Sequence, residues 1–242
     1  MARTDNLTNF LTDVADAIRT KTGSADTIQA SSFDTAIENI PSGQTIEVDG
    51  STSSSKPGYV DIINNTVSVK LKDDSILTSY LFYGCKATSL PKVTNVTSRV
   101  THMNYMFYDC TNVETIDVSG YDTSGVTNMQ SMFQMASAAT KLKSLNLSNF
   151  NIENVTEMRW MFSTTRKLAI LDISSFDFTN VTNFSGMFDY CGDRSLQTDG
   201  AYANGIPYVY VKDVAAQTWV LTQNNGHPST WTTDNVVIKS NS

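Results

Sequence analysis

A chain of 242 residues with 40% hydrophobic and 17% charged side chains carries enough apolar material for one large domain or two small ones. Its formal net charge of -7, with only 17 Lys and Arg, argues against a polyanion-binding surface, so no nucleic-acid partner is expected. Three cysteines cannot all pair within one chain, and two histidines leave little material for a metal centre, so no disulfide scaffold, metal site or cofactor is expected.

Residues 1–43 read as a helical attachment module. Leu7, Leu11, Val14 and Ile18 recur at helical steps on one face, with Thr4 or Asp5 as the cap. Phe33, Ile37 and Ile40 mark a shorter second helix that opens after Ser31, carries Asp34 in the manner of a capping box and meets Pro41. So small a pair cannot bury enough surface to stand alone, so it is expected to pack on another chain or on the next region. The opening MARTDNLTNFLTDVADAIRTKTG alternates charged and apolar residues and does not resemble a signal peptide. No stretch approaches the roughly 20 consecutive apolar residues of a membrane span, so neither classical secretion nor membrane insertion is expected.

From residue 44 to 77 the pattern changes to short alternating runs, TIEVDG, YVDII and TVSVKLK, which predict two or three strands in a linker or small β domain. Ser51 to Ser55 with Lys56, Pro57 and Gly58 is either a hairpin loop or a flexible linker.

Residues 78–200 hold a repeat of roughly 26 residues, clearest from Thr78 to Cys191. VTHMNYMFYDC from Val100, VTNMQSMFQMA from Val126, VTEMRWMFSTT from Val155 and VTNFSGMFDYC from Val181 align, and LFYGC from Leu81 is a degenerate earlier copy. In each unit, positions such as Met103, Met106, Phe107 and Cys110 follow i, i+3, i+4, i+7, which predicts a short helix with Thr101 at its N-cap. The pairs Ile116/Val118, Leu145/Leu147 and Leu171/Ile173 have a period of two and predict strands that pair in parallel when units stack. Tyr121, Phe150 and Phe176 form a further column where the chain turns back. The expected fold is α/β, a solenoid of helix-plus-strand units whose Met, Phe and Cys columns form the core. Over residues 201–242 IPYVYV, DVAAQTWVLTQ and NVVIK predict a strand, a helix capped by Asp213 with Trp219 on its apolar side, and a strand, together a C-terminal capping segment.

Two polar ladders accompany the strands, Asp117/Asn146/Asp172 and Asp122/Asn151/Asp177. These residue types make tight turns by side-chain bonds to the local backbone, and calcium between the ladders is the alternative. Two columns vary among the copies, Tyr105/Ser131/Trp160/Gly186 and Tyr108/Gln134/Ser163/Asp189. Core columns do not tolerate such differences in volume, so Tyr105, Tyr108 and Trp160 are the candidate ligand-binding residues, exposed aromatics suited to sugar rings or a protein partner.

The motifs VTNM..MF..C, L.L..F and NVT, with the tail VYVKDVAAQTWVLTQNNGHPSTWTTDNVVI, resemble the leucine-rich repeats of BspA-like surface proteins over roughly Thr78 to Lys239. That resemblance implies adhesion to a protein or glycan on another surface and no catalytic activity. The usual Cys position is lost at Met135 to Ala139 and at Ser163 to Arg166, which departs from the family pattern. The opening NLTNFLTDVADAIRTKTGSADTIQASSFDTAIENIPSG is similar to the N-termini of tail-associated proteins of phages and prophages of Gram-positive bacteria. Together these imply a virion structural protein assembled in the host cytoplasm, associated with tail or baseplate. Its residues 1–43 would contact other virion proteins and its repeats a host-surface glycan or protein, with a homo-oligomer among the partners considered. A head fibre or capsid decoration protein and a bacterial secreted adhesin are the alternatives. An enzyme is not expected, because no nucleophile, base and orienting group assemble from recognisable motifs.

Overall fold

A computed structural model of the chain describes residues 45–48, 68–73, 76–136, 140–192, 208–223 and 231–239, the first of these as backbone. The expected helical pair in 1–43, the YVDII run and the Ser51–Gly58 segment lie outside the described residues. The described residues form a mixed α/β arrangement of two small parallel sheets and one α-helix, with many irregular turns between them.

The first sheet has the order β1 (Thr45–Val48), β2 (Ser68–Leu71), β3 (Val93–Thr94), all parallel. In β2 the alternation is real, since Val69 and Leu71 are buried while Lys70 lies between them on the other face. Because β1 and β2 run parallel, they are not the two arms of one hairpin. The second sheet runs β4 (Ser144–Asn146), β5 (Ile170–Asp172), β6 (Tyr208–Val211), β7 (Val236–Ile238), again parallel throughout. Leu145 and Leu171 pair in register, as the aligned copies predict. Ile116 and Val118 are buried too, but lie outside any strand.

The repeat units lie one upon the next. Leu77, His102, Asn128, Glu157 and Asn183 are joined in that order by parallel bridges. The segment after each bridge is a run of tight turns instead of the expected helix. In the Val100 unit the N–H groups of Met106, Tyr108 and Cys110 bond back three residues, to the carbonyls of Met103, Tyr105 and Phe107. Between them, the N–H groups of Met103, Tyr105, Phe107 and Asp109 reach across to Asn128, Gln130, Met132 and Gln134 of the next unit. An α-helix would instead carry the later of these N–H groups, those of Phe107 to Cys110, back four residues within the segment. Tyr105 and Asp109 adopt left-handed φ of 59° and 56°, which no right-handed helix accommodates. Left-handed residues recur two positions before the core Phe in all five units, at Tyr80, Tyr105, Ser131, Trp160 and Gly186.

Thr101 is likewise not a helix cap. Its hydroxyl donates to the carbonyl of Ile76 at 3.2 Å, and those of Thr127, Thr156 and Thr182 donate to the equivalent carbonyls of the preceding unit, namely Thr101, Thr127 and Thr156. The conspicuous Val-Thr dipeptide is therefore a rung between units.

The core is the continuous column this stacking makes. Phe82, Phe107, Phe133, Phe162 and Phe188 stack with successive centroid spacings of 5.5, 5.4, 6.0 and 5.7 Å and nearly parallel planes. All eight methionines of the repeat region are buried beside them. Cys85, Cys110 and Cys191 are buried thiols, and burial pushes Cys191 up to about 12, so they act as small apolar fillers. Where the cysteine is missing, packing is restored in two ways. Buried Thr165 satisfies its hydroxyl on the Phe162 carbonyl at 2.6 Å, and Met135, buried at a position that is left-handed in the other four units, takes the place that exposed Ala136 leaves. Tyr121, Phe150 and Phe176 are buried at the return of the chain.

At the C-terminal end β6, helix α1 (Val214–Gln223) and β7 close the stack. Asp213 caps the helix, its Oδ1 accepting from the Ala216 N–H at 2.8 Å. Trp219 lies flat on Phe178 at 3.9 Å and edge-on to Phe184 at 5.1 Å, covering the end of the repeat.

Candidate recognition surface

Two columns of side chains leave the turns on the same side, at the positions two before and one after each core Phe. In the first two units both columns are tyrosine. Tyr80 stacks on Tyr105 at 4.9 Å, and Tyr83 stacks on Tyr108 at 4.7 Å. Tyr80 meets Tyr83 at 5.5 Å and Tyr105 meets Tyr108 at 5.6 Å, tilted by 38° and 58°. Tyr83 also meets Tyr105 at 6.4 Å, and the result is a block of four half-buried phenols, each ring held by two or three neighbours. Burial pushes the Tyr108 phenol above its ordinary value, and the adjacent Tyr83 adds to that effect. Beside the block the Lys86 ammonium donates to Asp109 at 3.0 Å.

Further along, the first column is Ser131, Trp160 and Gly186. Trp160 is 37% exposed and Tyr105 is half-buried, so both reach solvent as expected. The reason given for that exposure needs correction, because the column itself is not an open one. Ser131 is fully buried, and a Cβ built on Gly186 would stand 2.4 Å from the Trp160 ring, so the tryptophan lies over the glycine. Gly186 is small because the Trp160 ring occupies the space a side chain would take. Tyr108 is half-buried within the tyrosine block, and Ser163 in its column is buried.

A polar string joins the two aromatic parts. The Gln130 amide donates to the Tyr105 hydroxyl at 2.7 Å, the Arg159 guanidinium donates to Gln130 Oε1 at 3.3 Å, and Arg159 Cζ lies 5.1 Å from the Trp160 ring centroid. Glu157 Oε1 lies 3.7 Å from Arg159 Nε and also accepts from the Arg159 backbone N–H at 2.9 Å. Gln130 and Arg159 sit three before their core Phe, in a column with Asn104 and Ser185 that varies just as widely. Tyr80 and Tyr83 of the degenerate first copy also belong to the surface, and their spacing from Phe82 equals that of Tyr105 and Tyr108 from Phe107.

The Asp and Asn ladders make turns. Asp117, Asn146, Asp172, Asp122, Asn151 and Asp177 each accept, through Oδ1, a backbone N–H two residues ahead at 2.8–3.1 Å. Three of the remaining carboxylate oxygens are engaged by lysines, Asp177 by Lys212 and Asp172 by Lys239, both at 2.6 Å, and Asp117 by Lys92 at 3.6 Å.

The surface offers aromatic rings, hydroxyls, an amide and one guanidinium fixed on consecutive turns, a set suited to holding a ligand. Residues 77–199, about half of the chain, match the family described as Mycoplasma protein of unknown function, DUF285, and the match includes every residue of this surface. No curated protein and no solved structure is similar enough to the chain to count as a match. On the extent of the family match, the chain belongs to the DUF285 family.

Proposed function

We propose that the chain is a non-enzymatic structural protein of a phage virion, associated with tail or baseplate, whose stacked units form a leucine-rich-repeat-like solenoid displayed for binding to a host cell surface. The observation that carries the binding part is the aromatic row from Tyr80 to Trp160, which reaches solvent while each member is held by a neighbour. Ordering long side chains on binding opposes affinity, and rings already fixed avoid most of that loss. Aromatic residues and Arg are also the side chains that most often dominate binding energy. The resemblance of residues 6–43 to phage tail-associated proteins supports the virion part, with residues 1–43 as the contact to other virion proteins.

The family's description as Mycoplasma proteins favours one other reading, a bacterial secreted adhesin using the same surface. Gold-labelled antibody on purified virions and on intact producing cells separates the two. Label at the tail tip is expected. Label on the capsid would make this a head fibre or decoration protein, and label on cells with none on virions would leave the adhesin. A chain lacking residues 1–43 is expected to stay out of particles in a complementation assay, and normal incorporation would refute the attachment role.

A further inference from the structure

We infer that Cys85 and Cys110 are a redox pair, two thiols on neighbouring units that close to a disulfide and staple the first unit of the array to the second. The pair lies outside the aromatic surface and is independent of what that surface binds. Cysteine occurs three residues after the core Phe at Cys85, Cys110 and Cys191. Only the first two face another cysteine at the same position of an adjacent unit, since the unit before Cys191 carries Thr165 there.

The backbone sets the two cysteines opposite each other. The Phe82 N–H donates to the Met106 carbonyl at 2.8 Å and the Gly84 N–H to the Tyr108 carbonyl at 2.7 Å, one constant offset that brings Cys85 against Cys110. Backbones joined by such bonds lie roughly 4.7–4.9 Å apart, inside the range of about 4.4–6.8 Å between Cα atoms that a disulfide spans. The side chains converge as well. The Cys110 thiol donates to the Phe82 carbonyl at 3.1 Å, and the same oxygen accepts the Cys85 N–H at 3.1 Å. The Cys110 sulfur therefore sits against the turn that carries Cys85, where the Cys85 N–H is placed to bond it as a thiolate.

The surroundings decide when the bond forms. Both thiols are buried, and burial holds Cys110 well above its ordinary value, so the closed stack protects the pair. Cys85 lies in the first of the bridged units, and an array held by nearest-neighbour contacts opens most readily at its end. On opening, one thiolate attacks a low-molecular-weight disulfide, giving a mixed disulfide and one small thiol. The other thiolate then attacks the protein sulfur of that mixed disulfide and releases the second small thiol. The two cysteines give up two electrons and two protons, which the small disulfide takes up in becoming two thiols. A reducing cytoplasm keeps the pair open, and an oxidising medium closes it.

The test uses the full chain, purified as thiols, with oxidised glutathione as the probe, held for one day a few degrees below the melting temperature. Denaturing alkylation, non-reducing digestion and mass spectrometry are expected to show one linked pair of peptides, Cys85 to Cys110, with Cys191 alkylated. In guanidinium the same oxidant is expected to scatter the link among all three cysteines. The oxidised chain should melt about 5 °C higher than the reduced one, and the rise should vanish on reduction. Cys191→Ala should keep both link and rise, and Cys85→Ala should lose both. Cys85 and Cys110 recovered as free thiols, or each as a separate glutathione adduct, would overturn the pair. A link in the folded chain that involves Cys191 as often as the others would do the same. The expected link without a rise in melting temperature would overturn the staple.

Discussion

Residues 103–110 and 214–223 carry similar spacings of apolar side chains, and one is a run of turns while the other is an α-helix. The difference lies in where the backbone N–H groups go. In 214–223 the helix satisfies its own backbone and Asp213 supplies a capping acceptor. In 103–110 the next unit lies against the segment and takes every second N–H, leaving bonds three residues back for the others. Two turns in succession place side chains at intervals of three and four, as a helix does, so Met103, Met106, Phe107 and Cys110 reach one core by either route. An isolated eight-residue helix is marginal in water, whereas a turn whose carbonyls and amides are spoken for by its neighbours gains with every unit added. The spacing of apolar residues identifies the buried set, and hydrogen-bond partners decide the backbone.

The largest effect that could break this comparison is in the shared column. Phe133→Ala or Phe162→Ala removes a ring stacked on both faces and fully buried, and should lower stability by about 3–5 kcal/mol in guanidinium unfolding. An unchanged midpoint would remove that column from the core. Next comes backbone approach. A Cβ on Gly125 would stand 1.8 Å from the Ser98 carbonyl oxygen of the previous unit, so Gly125→Ala should lower stability by about 3 kcal/mol through forced separation of units. Gly84 has φ +73° and nothing within 4 Å of a built Cβ, so Gly84→Ala should lower it by only about 1 kcal/mol, the strain of a left-handed alanine. Equal effects would contradict the packing of one unit on the next.

The two segments can also be compared at their first polar residue. Asp213→Ala should lower stability by about 1 kcal/mol and reduce the helical signal in circular dichroism, since a cap is lost. Thr101→Ala removes an exposed bond to the Ile76 carbonyl and should lower stability by about 0.5 kcal/mol with no change in helical signal. A loss of helical signal in the threonine variant would restore the helix in the repeat.

The smallest effect is acid titration of the link between repeat and C-terminal segment. The hydrogen bond from Lys212 holds Asp177 down at about 2, with further bonds from Thr179. A depressed carboxyl contributes stability that is complete above its unfolded value of about 3.9 and is lost as pH falls through the folded value. Melting temperature measured from pH 5 to pH 2 should therefore fall slightly less steeply in Asp177→Asn than in the parent, since the pair is solvent-exposed and weak. Identical slopes would show that the pair links nothing.

Much of the fold is legible in the sequence because identical residues recur at identical sites. The Phe, Met and Cys columns, the strands at Leu145 and Leu171 and the capped helix after Asp213 all follow from that. The turns were hidden, since left-handed backbone at Tyr105, Ser131 and Trp160 involves residues that carry no signal for it, while Gly84, Asp109 and Gly186 hint at it. The candidate surface was half legible. Variation marked Tyr105, Tyr108 and Trp160, yet read from the sequence it suggested an open column, where Trp160 covers Gly186 and Ser131 is buried. Gln130 and Arg159 were missed although their column varies as widely, because amides and guanidinium groups on a surface draw no notice until their partners are known.

The central claim, that this row of side chains is a recognition surface and not part of the packing, is tested most directly by binding of the purified full chain to intact Gram-positive host cells. The comparison is with a Tyr105→Asn, Trp160→Asn double variant, asparagine being chosen because both positions have left-handed φ, 59° and 56°, which it tolerates. Binding is expected to weaken by roughly 2 kcal/mol or more, with thermal stability held within about 1 kcal/mol. Unchanged binding by a variant of unchanged stability, or a large loss of stability, would contradict it.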